Sequence, residues 1–223
     1  MAHFTLMWIM VTVEHSVRNV ENFIRTNLKL GPAKAVPEIL LYQAHPRSRL
    51  TAYLGEDATP PYWAFGWAGG HVLARFILDN PEKVRGRRVL DVGTGSGLVA
   101  IAAAKAGAVH VAAIDIDAHA VAATRINASA NDVKIEVQLG DGLSGPIPMV
   151  DLITMGDTFY EEALAQHALR FARACQAVGI EVWIGDPFRL PLPRAVLRKL
   201  AEVSVPDFGQ SEPLLSAVFT LEP

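Results

Sequence analysis

The sequence predicts an α/β fold in which helices cover a mostly parallel sheet, and three observations support this. Residues 88–106 read as a short apolar strand, a turn with three glycines and an alanine-rich helix. Further apolar runs alternate with helix-like segments as far as residue 184, and the runs 203–205 and 214–221 read as a final antiparallel pair. Alternating strands and helices are typical of a parallel sheet with crossover connections.

Composition limits the kinds of partner that this chain can have. The 223 residues are 51% apolar, which is enough for one sizeable core, and the formal net charge is −3. We therefore expect no general affinity for nucleic acid or for an anionic membrane. The seven histidines form no metal-binding pattern and Cys175 has no partner cysteine, so we expect no metal site and no internal disulfide.

The single cysteine also fits a reducing compartment. The apolar run Phe4–Val13 is too short to span a bilayer, and it lacks the basic start and small-residue cleavage site of a signal peptide. We expect a cytoplasmic protein that is a monomer or a weak dimer.

The first 60 residues read as a cap that precedes the catalytic domain, residues 61–223. We predict an amphipathic helix over Glu14–Leu28, and then a turn over Lys29–Pro37, which its proline and glycine residues break. A short apolar stretch, Glu38–Tyr42, and a surface loop over 44–61 follow. The sequence thus predicts a helical cap.

An aromatic run begins the catalytic domain. Tyr62, Trp63, Phe65 and Trp67 lie within six residues, and we expect Tyr62 and Phe65 to pack in the core. A helix should follow over 71–80 and end at Asn80-Pro81.

The turn with Gly93, Gly95 and Gly97 is the strongest functional signal. Glycines let the backbone approach a ligand closely, and the helix that follows offers free N–H groups to an anion. A dinucleotide fingerprint would need a further glycine where Leu98 stands. A turn that only joins strand to helix stays an alternative.

Two acids after later strands are candidates for holding a nucleoside. Asp115 ends the predicted strand 110–114, eighteen residues after Gly97, where a carboxylate can accept hydrogen bonds from ribose hydroxyls. Asp117 is the better N-cap for the helix 118–130, which leaves Asp115 for the ligand. Asp141 follows the predicted strand 134–139 and would lie near an adenine, although a plain turn aspartate is an open alternative.

The fourth predicted strand, 149–155, ends at Gly156 and Asp157. Thr158 and Glu161 match a capping box for the helix 161–177, so Asp157 would lack a structural task at the ligand edge of the sheet. Cys175 falls on the apolar stripe of that helix and should be a core residue. A strand over 179–184 and a short helix over 193–200 follow.

Seven stretches of the chain together resemble a known family. They are Phe23-Ile-Arg-Thr-Asn, Val36-Pro-Glu-Ile, residues 61–70, residues 89–104, Asp115-Ile-Asp, Gly156-Asp-Thr-Phe-Tyr and Gly185-Asp-Pro. The chain resembles the electron transfer flavoprotein β-subunit lysine methyltransferase family, which has the Rossmann-like seven-strand methyltransferase fold and a D/E-x-x-Y/F motif. The run 206–216 matches this family less well.

The resemblance implies a protein-lysine methyltransferase that uses S-adenosylmethionine (SAM) and acts on the electron transfer flavoprotein β subunit. Asp157 and Tyr160 would carry the D-x-x-Y motif at the mouth where a target lysine enters. The residues expected at SAM are Trp67, Gly93, Gly95, Gly97, Asp115, Asp141 and Gly156.

Three other readings stay open at this point. The first is a methyltransferase of another substrate, such as a ribosomal protein or a small amine like nicotinamide. The second is a non-catalytic SAM-binding protein. The third is a nicotinamide-dependent oxidoreductase, which Leu98 in the glycine turn argues against.

Overall fold

The computed structural model describes residues 19–55 and 59–223. Its strands are β1 Lys29–Ala33, β2 Val36–Gln43, β3 Arg88–Val92, β4 His110–Asp115, β5 Glu136–Leu139, β6 Leu152–Gly156, β7 Glu181–Asp186, β8 Leu197–Val205 and β9 Leu214–Leu221. Its helices are α1 over residues 19–27, α2 Leu50–Leu54, α3 Ala68–Asp79, α4 Leu98–Lys105, α5 Ala118–Ala130 and α6 Glu162–Ala177.

Seven strands form one sheet in the order β5-β4-β3-β6-β7-β9-β8. The first five of these are parallel, while β9 runs antiparallel to both β7 and β8. This arrangement confirms the predicted mixed sheet with a terminal antiparallel pair. The strand order reverses between β3 and β6, and open α/β sheets bind ligands at such a switch point, outside the carboxyl ends of the strands.

The core lies on both faces of this sheet. One face carries α3 and α4 against β3 and β7, with Leu73, Ile77, Ile101 and Trp183 almost fully buried. The other face carries α6, where Phe171 and Cys175 pack on β6 and β7. Cys175 is buried, as predicted. Among the described residues, no helix combines the length and apolar character needed to cross a membrane.

The cap differs from the prediction because it contains a β-hairpin. Strands β1 and β2 pair where we predicted a turn and an isolated apolar stretch, and α2 interrupts the predicted loop. Pro32 is tolerated because a two-stranded ribbon leaves its edge positions without a ladder partner. The predicted helix is confirmed over residues 19–27. Its earlier part and the run Phe4–Val13 lie outside the described residues.

Helix α5 holds the cap against the catalytic domain. The Asn131 side chain bonds the Leu40 amide and carbonyl, and the Asn127 side chain accepts the Tyr42 amide at 2.8 Å. Val20 and Ile24 of α1 belong to the same buried cluster as Ile126 of α5. The domain boundary at residue 60 stays a prediction.

The short helix predicted over 193–200 is wrong. A single 3₁₀ turn, Arg194–Val196, leads directly into β8 at Leu197. Since β8 pairs with β9 along its length, sheet pairing overrides a local sequence that would also suit a helix.

Candidate active site

A cavity of about 590 Å³ opens at the carboxyl ends of β3, β4 and β6. Small-molecule sites are typically of this size. Eight of the nine residues predicted for the site line it, namely Trp67, Gly93, Gly95, Asp115, Asp141, Gly156, Asp157 and Tyr160. The fold therefore brings together predicted site residues that are up to 93 positions apart in the chain (67 to 160).

Gly97 is the exception, because it does not line the cavity. It is the N-cap of α4 with φ 83°, and a Cβ at this position would lie 2.9 Å from the Thr124 methyl carbon. Gly97 therefore lets α5 approach the turn from behind. Its contact with the cofactor stays a prediction.

The glycine turn is tied to its neighbours by hydrogen bonds. Gly93 and Gly95 have φ values of 67° and 55°, in the left-handed region that favours glycine. The Thr124 hydroxyl donates to the Gly95 carbonyl and the Asn127 amide to the Ser96 carbonyl. The side chains of α5 thus hold the turn in place.

Asp115 lies at the tip of β4, as predicted, and also has a structural role. One oxygen accepts the Gly95 amide at 2.9 Å and the other accepts the Asp117 amide at 3.0 Å. Each oxygen keeps an acceptor site for a ribose hydroxyl. Burial raises the pKa of Asp115. Asp117 caps α5 by accepting the His119 amide, which confirms its predicted role.

Asp141 is satisfied within its own turn. Its carboxylate accepts the Leu143 amide and the Ser144 hydroxyl, and the Ser144 bond lowers its pKa. This geometry matches the alternative reading as a turn aspartate, although Asp141 still borders the cavity.

Asp157 has a structural role, so the prediction that it would lack one was wrong. Its Oδ1 accepts the Gly69 amide at 3.0 Å and its Oδ2 accepts the Gly70 amide at 2.7 Å. The Arg189 guanidinium donates to Oδ1 at 2.6 Å. Asp157 therefore satisfies the first turn of α3 and forms an ion pair, while Oδ2 accepts only one of these bonds.

A second carboxylate belongs to the same cluster. The Arg189 guanidinium also approaches Asp186 Oδ2 at 3.3 Å, and the Asp186 side chain is fully buried. Burial raises the pKa of Asp186 to about 6. Burial also raises the pKa of Asp157, against the lowering effect of Arg189. Two carboxylates thus share one guanidinium, which leaves the cluster receptive to a second cation.

The predicted capping box at Thr158 does not form. Helix α6 begins at Glu162 after Glu161, which makes no side-chain capping bond. Asp157 has the left-handed φ of 57°, and Thr158 and Tyr160, which follow it before the helix starts, line the cavity. The buried Thr158 hydroxyl has no hydrogen-bond partner among the described residues.

Aromatic side chains form one wall of the cavity. Trp63 is buried, and its ring stacks on His119. Tyr62 and Phe65 both line the cavity, and Tyr62 is 49% exposed, so the prediction that Tyr62 packs in the core was wrong. Trp67 is fixed by a 2.8 Å bond from its ring nitrogen to the Tyr62 carbonyl.

Asp91 lies behind the glycine turn and was not predicted as a site residue. Its carboxylate accepts the hydroxyls of Thr94 at 2.6 Å and Thr154 at 2.7 Å. Burial raises its pKa to about 6. An acid within an apolar strand was the sequence signal that could have identified it.

The cavity residues that were not predicted for the site also include Trp63, Thr158 and Arg189. The dense aromatic run pointed to Trp63. Nothing in the spacing pointed to Arg189, whose partner Asp157 is 32 positions away.

The cavity fits SAM on two counts. The Trp63 ring nitrogen and the Thr158 hydroxyl are buried without partners among the described residues, and both residues line the cavity. Buried polar groups normally find a partner, so these two are available to a polar ligand. In addition, Asp91 and Asp115 place carboxyl groups at the cavity, which suits a ligand with a sulfonium and an ammonium group.

Comparison with solved structures identifies the fold. A putative RNA methyltransferase from Pyrococcus horikoshii has a TM-score of 0.53 at 18% identity and covers 74% of this chain and 92% of its own. A T. thermophilus 16S rRNA methyltransferase in complex with AdoMet and guanosine has a TM-score of 0.51 at 22% identity, over 69% of this chain and 42% of its own. The fold is the Rossmann-like methyltransferase fold.

Sequence comparison gives the family. The sequence model of the ribosomal protein L11 methyltransferase (PrmA) matches residues 60–154. The electron transfer flavoprotein β subunit lysine methyltransferase of Danio rerio is 38% identical over 203 residues, which are 87% of this chain and 79% of the relative. The chain belongs to this lysine methyltransferase family, and it is a methyltransferase enzyme.

Proposed function

We propose that this protein uses SAM to methylate lysine side chains of the electron transfer flavoprotein β subunit. Support for the substrate comes from relatives named for that activity, such as the Danio rerio protein at 38% identity. The observation that carries the proposal is the placing of Asp157 and Tyr160 in the same cavity as the glycine turn and Asp115. One cavity can thus hold a methyl donor and an acceptor amine.

The residues for SAM binding follow from the site. Asp115 would hold the ribose, Trp63 and Thr158 would supply hydrogen bonds, and the turn at Gly93 and Gly95 would lie along the methionine part. When bound, SAM supplies a methyl group that is electrophilic because it is attached to a sulfonium.

The acceptor lysine must be neutral to attack. Its ordinary pKa is about 10.4, so only about one molecule in a thousand is neutral near pH 7.4. Apolar walls lower that pKa by desolvation, whereas the Asp157 charge raises it. We therefore assign Asp157 to docking and orienting the ammonium, and Tyr160 to a wall contact of the cation–π type. Loss of the proton to water then follows docking.

Positioning accounts for much of the expected rate. Asp157 is fixed by the Gly69 and Gly70 amides and by Arg189, so a lysine held on it has little orientational freedom. Holding two reactants in line can lower a barrier by several kcal/mol, up to about 10.

Incubation of the purified enzyme with labelled SAM and recombinant electron transfer flavoprotein β subunit tests this function. We expect label in the β subunit and mass increments of one or more methyl groups on lysine. Asp157→Asn serves as the control with strongly reduced activity. Wild-type enzyme that binds SAM but leaves the β subunit unmodified would refute the substrate assignment.

Ribosomal protein L11 is the second candidate substrate. The match of residues 60–154 to the PrmA family supports it. That segment covers the cofactor side of the cavity and ends before Asp157, so it bears less on the acceptor. An equimolar mixture of the β subunit and L11 in the same assay decides between them.

Cytoplasmic location and a monomeric or weakly dimeric state remain proposals. The lone buried Cys175 supports a reducing compartment. Sedimentation at several protein concentrations tests the oligomeric state.

A further inference from the structure

Five aromatic side chains form a continuous line beside the cavity. Ring centroids are 6.2 Å apart for Tyr160 and Tyr62, 5.7 Å for Tyr62 and Trp67, 5.4 Å for Trp67 and Phe208, and 3.8 Å for Phe208 and Phe65. We call these five residues the aromatic ridge. Three separate segments of the chain contribute to it.

The ridge is accessible, in contrast to a core cluster. Tyr62 is 49%, Tyr160 is 55% and Phe208 is 46% exposed. Contiguous apolar surface of this kind marks interaction sites, and aromatic side chains are the commonest anchors of protein interfaces. Phe208 does not line the cavity, so the ridge extends from the cavity onto the outer surface.

Hydrogen bonds hold the ridge in shape. The Trp67 ring nitrogen donates to the Tyr62 carbonyl at 2.8 Å. On the Phe208 side, the Ala68 amide donates to Asp207 at 2.9 Å, and the His71 ring nitrogen lies 2.9 Å from the Pro206 carbonyl. A surface fixed before binding loses little entropy when a partner docks.

Acidic residues lie close in the chain to two members of the ridge, Tyr160 and Phe208. Glu161 and Glu162 follow Tyr160, while Asp207 precedes Phe208 and Glu212 lies four positions after it. Among the ion pairs of residues 19–55 and 59–223, none involves these four acids. The Arg189 charge at the cavity is already shared by Asp157 and Asp186. These four acids thus favour a basic segment over a phosphorylated one beside the ridge.

We propose that the aromatic ridge docks the protein substrate through a segment in which an apolar or aromatic residue and further basic residues accompany the acceptor lysine. The apolar residue would pack on Phe208 and Trp67, and the basic residues would face Glu161, Glu162 and Glu212. This inference rests on the proposed lysine methylation and specifies the chemistry of its substrate.

The first test compares Phe208→Ala with Phe208→Tyr on the electron transfer flavoprotein β subunit. We expect Phe208→Ala to raise KM about tenfold or more, with an unchanged Kd for SAM, and Phe208→Tyr to restore most of the affinity. Met149→Ala is the matched control, since Met149 is 86% exposed and precedes β6, at the edge of the sheet opposite the cavity. An unchanged KM for Phe208→Ala would overturn the proposal.

A second test does not depend on turnover. Two fluorescent peptides share a central lysine and a nearby phenylalanine and differ only in having arginines or glutamates around them. Anisotropy should show the arginine peptide binding at least tenfold more tightly than the glutamate peptide, and Phe208→Ala should remove most of that binding. Equal binding, or no binding of the arginine peptide, would overturn the proposal. Expected peptide binding with no methylation of the β subunit would instead refute the proposed substrate and leave the ridge intact.

Discussion

At the scale of single residues, Asp157 combines two roles that are usually separate. It satisfies the first amides of α3 and it presents a carboxylate to the cavity. Its left-handed φ of 57° is a strained conformation for a non-glycine residue, and such strain is concentrated at functional sites. The fold thus holds this acid in one orientation at a cost to local stability.

Replacement of Asp157 by Asn should lower kcat/KM for the protein substrate by about a hundredfold or more, because removing one charge of a desolvated pair costs several kcal/mol. The Kd for SAM should stay within about twofold, since Asp115 and the glycine turn remain. Single-turnover kinetics and calorimetry measure the two quantities. Turnover close to that of the wild type would exclude the docking role.

Arg189 should set the pH range in which Asp157 is ionised. Arg189→Gln removes a charge that lowers the pKa of Asp157, so this pKa should rise. As the pH is lowered, the variant should therefore lose methyl transfer at a higher pH than the wild type does. We expect the acid limb of kcat/KM to move up by about one pH unit. Arg189→Lys keeps the positive charge, so its acid limb should stay close to that of the wild type. An acid limb that stays in place, with a lower plateau, would indicate a purely structural arginine.

Asp115 and Asp141 should differ in their importance for SAM binding. Asp115→Asn would place an amide donor against the Gly95 or Asp117 amide and would weaken the ribose contact. The Kd for SAM should therefore rise about tenfold to a hundredfold. Asp141→Asn should have a smaller effect, because its bonds lie within its own turn. Calorimetric titration of both variants checks the order, and the reverse order would contradict it.

Site residues could be predicted where one short stretch carries the whole signal. The turn with Gly93 and Gly95 and the acid Asp115 after the next strand belong to this group. The roles of Thr158 and Arg189 could not be predicted, because they depend on how the loops after β6 and β7 pack against each other. Sequence spacing does not encode the path of such loops.

At the scale of elements, the decisive contact is the crossing of α3 over β6 and β7. A Cβ at Gly69 would lie 2.2 Å from the Gly185 carbonyl oxygen and 2.7 Å from the Asp157 amide nitrogen. Only glycine permits this approach, which places the first turn of α3 on the Asp157 carboxylate.

Gly69→Ala should therefore separate α3 from the strand ends. We expect a loss of about 2 kcal/mol or more in the free energy of unfolding, since overpacking against backbone cannot be relieved by a side-chain movement. Gly145→Ala is the control, because nothing lies within 4 Å of its added Cβ. Urea unfolding of both variants measures the difference. Equal stabilities would show that this approach can relax.

Elements with a long apolar or periodic pattern were predictable, and the helix over 118–130 matches its prediction residue for residue. The hairpin of β1 and β2 was not predictable, since Pro32 and Pro37 locally indicate a turn and not a strand. The side chains of Asn127 and Asn131 bind the β2 backbone from a distant helix. The strand at Leu197 was missed for the same reason, because its pairing partner β9 begins 17 positions later, at Leu214.

At the scale of the whole molecule, the site makes stability depend on pH in an unusual direction. Burial raises the pKa values of Asp91 and Asp186 to about 6, whereas an unfolded aspartate has a pKa of about 3.9. The folded protein thus binds protons more tightly than the unfolded chain at these positions. Their stabilising contribution is complete below about pH 4 and is lost as the pH rises through 6.

Asp91→Asn isolates one of these groups. Asparagine has nearly the same shape and can still bond the Thr94 and Thr154 hydroxyls, but it cannot release a proton. In the ligand-free protein, the wild type should therefore lose roughly 2 to 3 kcal/mol more stability than Asp91→Asn between pH 4 and pH 6.5.

Urea unfolding at half-unit pH intervals gives the free energy of unfolding of both proteins against pH. Asp151→Asn is the control, because the Arg88 side chain lowers the pKa of Asp151 to about 2, outside this window. Parallel curves for the wild type and Asp91→Asn would show that Asp91 is ionised in the folded protein throughout, and its bonds to the two threonines would then outweigh its burial.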